Sequence, residues 1–153
     1  MGITGKGKGS KLMAIVDREG IPLGLLVENA NPAEVKLAEP TLATIRVQRK
    51  RGRPKTRPKE LVADKGYDSD PFRRGLRKRG IKPCIPLRKN RKVKPGRRAE
   101  LSGYKERWHV ERTFGWIESF RRLATRFERL VKVYYGLLYL AAAIFCLRRL
   151  VSG

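Results

Sequence analysis

An α/β (α+β) fold is predicted by three features of the sequence. Short apolar runs with strand character recur along the chain, segments with helical spacing lie between and after them, and 41% of the 153 residues are hydrophobic, enough for a core. The length suits one domain and is short for two ordinary ones.

The elements follow in order. Lys11 to Asp17 (KLMAIVD) and Ile21 to Glu28 (IPLGLLVE) are strand-like runs separated by Arg18-Glu19-Gly20, which suggests a hairpin with Asp17 in its turn. Asn31-Pro32-Ala33-Glu34 offers an N-cap, a proline at the first helical position and a capping-box glutamate. Val35, Ala38, Leu42 and Ile45 continue at helical spacing, with Pro40 expected to kink or shorten that helix. Gln48 to Lys59 has no apolar periodicity and reads as a solvated basic loop. Glu60 to Gly66 (ELVADKG) reads as a short buried strand that carries Asp64 near its end. Asp70-Pro71 opens a basic helix that stops at Gly80, and Ile81 to Pro86 forms another short strand. Leu87 to Ser102 is a second basic loop, and two helices, about Tyr104 to Leu130 and about Lys132 to Val151, complete the chain. The uncharged stretch Val133 to Leu147 is shorter than the roughly 18 residues of a membrane span and is expected to be a buried core helix.

Charge constrains the partner. Thirty-seven Lys and Arg against fourteen Asp and Glu leave a net +23, which favours a polyanion and above all nucleic acid. A membrane surface fits less well, because no basic amphipathic helix with an exposed apolar face is apparent. Cys84 and Cys146 have no metal-ligand spacing and read as small hydrophobes in a reducing cytoplasm, and no signal peptide opens the chain.

The long helix expected after Tyr104 has an informative geometry. With Tyr104 at zero, Val110, Thr113, Ile117, Phe120, Ala124, Phe127 and Val131 fall in a band centred near roughly 190°, a core face. Tyr104, Arg107, Glu111 and Glu118 fall between about 300° and 360°, and Arg122 and Arg129 extend that stripe. A polar stripe opposite a core stripe is ordinarily a solvated surface. A carboxylate leaving a strand end, as Asp64 does, together with a helix carboxylate such as Glu111, is nevertheless an arrangement that holds a divalent metal for phosphoryl chemistry.

These residues resemble a family. Ala63-Asp64-Lys65-Gly66-Tyr67-Asp68-Ser69 is similar to the segment around the second catalytic Asp of insertion-sequence DDE transposases, and Tyr104-x2-Arg107-x3-Glu111 to their Y-x2-R-x3-E signature. Arg107 to Trp116 (RWHVERTFGW) and Phe120 to Ala124 (FRRLA) also resemble that group. The resemblance implies an RNase H-like catalytic domain occupying residues 1–153, with basic loops at about 46–59 and 87–102. It implies a site for two Mg²⁺ or Mn²⁺ ions in which Asp64 and Glu111 are catalytic metal ligands. Arg107 would contact phosphate or pair with Glu111, and Tyr104 would support the stripe or contact DNA. The family's first Asp lies on a strand before the hairpin, so the domain is expected to be partial at its N-terminus, with that strand missing and the isolated chain inactive. An upstream transposase segment and a homo-oligomer are the implied partners, with transposon ends and target DNA as substrates at the bacterial nucleoid. The signature's final Lys is here Glu118, which weakens a DNA contact at that position. The competing reading is a non-catalytic basic nucleic-acid-binding protein, which charge alone cannot separate from the first.

Smaller signals remain. Arg51-Gly52-Arg53-Pro54 has the core of a minor-groove hook, although a solvated loop touching only phosphates is the plainer reading of a region that is basic anyway. Trp108, outside the core band, is a candidate for DNA contact, as is Arg122, while Trp116 at the band's edge is expected in the core. His109 reads as a packing or surface residue. Asp68 and Asp70 read as turn and helix-cap residues.

Overall fold

The computed structural model describes residues 2–4, 7–90, 101 and 103–152, and the chain forms a mixed α/β structure. The basic residues Arg91, Lys92, Lys94, Arg97 and Arg98 of the expected second loop lie outside the described residues, as do Met1, Gly5 and Lys6. Two compact units are distinguished, one comprising Met1–Asn31 with His109–Gly153 and the other Pro32–Trp108.

The first unit is built on an antiparallel sheet of β1 (Gly2–Thr4), β2 (Gly7–Val16) and β3 (Pro22–Asn29), in that order. The hairpin expected from the two apolar runs is β2–β3, with Leu12 opposite Val27 and Ala14 opposite Leu25. Its turn is fixed by Asp17, whose Oδ1 accepts the amides of Glu19 and Ile21, each at 2.9 Å. Gly20 completes it at φ 85°, a conformation that disfavours any residue with a Cβ. Leu25 and Val27 pack with Ile117, Leu123, Tyr134, Leu138 and Ala141 as the unit's core. Those partners come from α3 (Trp108–Glu118), α4 (Arg121–Ala124) and α5 (Val131–Ser152).

The single helix expected from Tyr104 to Leu130 is divided. Tyr104–Arg107 is a 3₁₀ turn, α3 ends at Glu118, and Phe120 is extended at φ −85° and ψ 109°. Ser119 Oγ donates to the Trp116 carbonyl at 2.7 Å, and the Trp116 ring packs 5.0 Å from Phe120 and 4.7 Å from Phe145. Aromatic packing thus draws Phe120 into contact with the core at the expense of helical continuity. The core band holds at Thr113 and Ile117 but fails at Phe127, which is 72% exposed, while Leu123, off the band, is buried. Beyond α4, Arg126 ties the chain down by donating to the carbonyls of Glu128 and Arg129, and its guanidinium lies over the Tyr134 ring.

The final helix, expected to be a buried core helix, is buried on one face only. Tyr134, Leu138, Ala141 and Phe145, at helical spacing, face the core, whereas Tyr139, Leu140, Leu147 and Leu150 are exposed. Residues Val131–Val151 are long and apolar enough to cross a membrane by length and composition, with 22% of the stretch buried.

The second unit contains a parallel β–α–β element: β4 (Glu60–Val62), α2 (Asp70–Lys78) and β5 (Lys82–Cys84), with Leu61 opposite Pro83. It is preceded by α1 (Glu34–Ala43), whose N-cap is Ala33 without a side-chain capping bond, so the helix starts two residues later than the Asn31-Pro32 pattern suggests. Pro40 lies inside α1, which ends three residues past it. The expected strand from Glu60 to Gly66 stops at Val62, and Lys65–Tyr67 turns into a 3₁₀ helix. Leu42, Leu76, Ile81 and Ile85 are fully buried, and Cys84 is buried with them as expected; Cys146, in the first unit, is only half-buried.

Candidate functional site

Asp64 sits two residues beyond β4, at the carboxyl end of a parallel strand, where α/β structures commonly place functional groups. It caps the 3₁₀ turn: its Oδ1 accepts the Gly66 amide at 2.6 Å, and the residue is exposed. A Cβ at position 66 would lie 2.8 Å from Asp64 Oδ1, so glycine lets the backbone approach the carboxylate.

The turn is clasped from the segment that follows β5. Arg88 donates from Nε to the Lys65 carbonyl at 3.1 Å and from Nη2 to the Gly66 carbonyl at 2.8 Å. The Arg88 amide donates to Asp68 Oδ2 at 2.9 Å, and Asp68 Oδ1 pairs with Arg73 Nε at 2.8 Å. Arg73 also donates to the Ile85 carbonyl at 2.7 Å. Asp68 is therefore a buried ion-pair partner linking two strand ends, not simply a turn residue, and Asp70 begins α2 with Ser69 as its N-cap. The sequence reading missed Gly66, Arg73 and Arg88. An Asp-x-Gly step pointed to the first, but no spacing marks an arginine in a basic helix as buried. Tyr67 donates to Glu34 Oε2 at 3.3 Å, and burial, then the Glu34 carboxylate, pushes its hydroxyl above the usual tyrosine range.

In the first unit Glu111 is exposed in the first turn of α3. The neighbouring residues fasten this helix to the hairpin turn: Thr113 Oγ1 donates to the Gly20 carbonyl and Arg112 Nη2 to the Glu19 carbonyl, each at 2.7 Å. Asp17 serves the turn, as expected.

The other candidates are distributed. The Arg107 guanidinium lies 6.0 Å from the centre of the Tyr104 ring, and both residues are half-buried. Trp108 is 48% exposed, whereas Trp116 packs in the aromatic cluster. His109 is half-buried and Glu118 exposed. Arg122 is exposed on α4 and lies 3.8 Å from Glu128, so it does not continue a stripe on α3. Arg51 and Arg53 are exposed. Among the described residues no three His, Cys, Asp or Glu side chains gather to hold a metal. Asp64 and Glu111 are nevertheless exposed hard-oxygen donors, the chemistry that suits Mg²⁺, which keeps several waters and needs only one or two carboxylates.

Comparison with known proteins covers nearly the whole chain. Residues 2–146 match the family described as Transposase DDE domain. The chain is 39% identical over 140 residues to a Burkholderia cepacia protein assigned as the transposase for insertion sequence element IS402, covering 90% of this chain and 63% of that protein. It is 27% identical over 143 residues to a Brucella ovis protein assigned likewise to insertion sequence element IS6501, covering 91% of this chain and 98% of that one. No solved structure matches. With 145 of its 153 residues inside the family match, the chain belongs to the transposase DDE domain family.

Proposed function

We propose that this chain acts in DNA transposition as a partial RNase H-like catalytic domain spanning residues 1–153, with Asp64 and Glu111 as metal ligands of its DDE site. The observation that carries the reading is Asp64 itself: an exposed carboxylate in the family-like ADKGYDS segment, held at the end of a parallel strand by Gly66 and the Arg88 clasp. The order of elements, an antiparallel hairpin, then strand, helix, strand and a helix bearing Glu111, supports the same reading. A divalent ion such as Mg²⁺ or Mn²⁺, when bound, would supply activation of a water or 3′-hydroxyl and stabilisation of the leaving oxygen. The protein's own part is to present carboxylate oxygens on rigid supports and to bring phosphates near them with cationic side chains. Arg107, Tyr104, Trp108 and Arg122, with Arg51 and Arg53, are the proposed DNA contacts. The partners are transposon ends and target DNA in the bacterial cytoplasm, and the active form is a homo-oligomer.

Two carboxylates are too few for a pair of ions, so the 153-residue polypeptide binds DNA without cutting it, and a segment outside it supplies the third. Nicking of supercoiled plasmid in Mg²⁺ tests this with the isolated chain, a form extended by the upstream segment, and Asp64→Ala and Glu111→Ala in the extended form. Nicking only by the extended form, abolished by either substitution, is the expected result. Nicking that survives both substitutions removes the site. The reading also requires both carboxylates to reach one ion, so Mn²⁺ should broaden the NMR signals of Asp64 and Glu111 together. DNA binding without Mg²⁺-dependent nicking, even in the extended form, would favour a non-catalytic nucleic-acid-binding protein.

A further inference from the structure

The segment before β4, expected to be a solvated basic loop, is a pinned one. Val47 and Lys55 form an antiparallel bridge, Val47 N donating to Lys55 O at 2.9 Å and Lys55 N to Val47 O at 2.8 Å. Residues 48–54 therefore project from a closed neck. Gly52 lies in this projection at φ 85°, with nothing within 4 Å of a Cβ built there. The outgoing leg is fastened as well, since Arg57 Nη1 donates to the Arg79 carbonyl at 3.0 Å and the Lys82 amide to the Lys59 carbonyl at 2.9 Å. Residues 46–59 hold eight Lys and Arg and no Asp or Glu. Arg51 and Arg53 flank the glycine, are exposed, and take part in no ion pair among the described residues.

Resting on the DNA-binding reading above, we propose that this projection reads A·T-rich duplex by inserting Arg51 and Arg53 into the minor groove. Size argues for the tip. Two paired strands are already about 4.8 Å apart between backbones. With side chains they overfill a groove about 6 Å wide. A turn whose centre lacks a side chain can press against the groove mouth and send an arginine in from either side. Charge argues for the base composition, because A·T tracts narrow the groove and deepen its negative potential, which draws in cations. Arginine suits that task better than lysine, since a guanidinium is more weakly hydrated and enters a confined space at less cost. The bridge and the Arg57 contact hold the tip in place before DNA arrives, which reduces the ordering cost of binding.

The test measures binding of the full chain to A·T-rich and G·C-rich duplexes of equal length at one salt concentration. The wild type should prefer the A·T duplex by about tenfold, within the range that one base-pair change alters in specific complexes. Arg51→Lys with Arg53→Lys keeps the charge, so a loop that touches only phosphates would behave as the wild type. Groove insertion instead predicts that this variant loses most of the preference while its G·C affinity stays within about twofold of the wild type. A minor-groove ligand such as netropsin should compete with the wild type on the A·T duplex. Thermal melting of the variant should match the wild type, both residues being exposed. Equal wild-type affinity for the two duplexes, or a preference that survives the lysine variant, overturns the minor-groove assignment and leaves the proposed function standing. Binding to neither duplex overturns both.

Discussion

The Asp68–Arg73 pair ties the Asp64 turn to the fold. Both side chains are nearly excluded from water, at 0% and 5% exposure, and each is satisfied by the other and by backbone groups. Removing one partner leaves a buried charge without its counter-ion, so Arg73→Ala should lower unfolding stability by about 3–5 kcal/mol, measured by urea denaturation. Asp68→Leu with Arg73→Met, which removes both charges, should cost less than Arg73→Ala. If it costs more, the pair contributes net stability beyond its own desolvation. Tyr67 adds a pH dependence. Burial and the nearby Glu34 carboxylate raise its folded pKa above the ordinary value of 10.0, so the unfolded chain releases this proton first. Its contribution is complete below about pH 10 and is lost as pH rises beyond that. Tyr67→Phe should flatten the alkaline decline in stability measured above about pH 10.

At the scale of elements, α5 separates two kinds of apolar residue that one sequence pattern cannot. Leu138 is fully buried and Leu140, two positions on, is 59% exposed. Leu138→Ala should cost about 2–5 kcal/mol. Leu140→Gln should change stability by no more than about 0.5 kcal/mol. Equal losses in chemical denaturation would mean that the exposed face is covered in the folded protein. The hairpin, the two short parallel strands and the helix between them were legible because alternation, Gly and Asp-Pro punctuation act locally. Asp17 and Gly20 sit where that punctuation put them. The break at Ser119–Phe120 was not legible, since it depends on Trp116 packing against both Phe120 and Phe145, the latter from α5. The same holds around the candidate site. Asp64 near the end of a strand follows from the sequence, but the 3₁₀ turn it caps, the Arg88 clasp and the neck at Val47–Lys55 do not, since the last two join residues whose pairing no local periodicity encodes.

For the whole molecule the dominant quantity is charge. A net +23 on 153 residues, with eight cations concentrated in residues 46–59, gives a field that attracts any duplex irrespective of sequence. On the proposed DNA-binding reading, association would proceed largely by release of the counter-ions condensed on DNA, and the slope of log affinity against log salt would count the phosphates neutralised. Contact with six to ten phosphates predicts a fall in affinity of about 10³- to 10⁵-fold between roughly 50 and 200 mM salt. Substituting Arg49 and Lys50 by Ala should reduce the magnitude of that slope by up to about two and weaken A·T and G·C duplexes alike, because phosphate contacts carry no base information. Arg51 and Arg53 should differ, their replacement changing the ratio between the duplexes more than the slope. Fluorescence anisotropy titrations across a salt series on both duplexes measure the two effects separately. A salt response close to flat would mean that the cationic surface is not what holds DNA, and would remove the electrostatic basis of the DNA-binding reading.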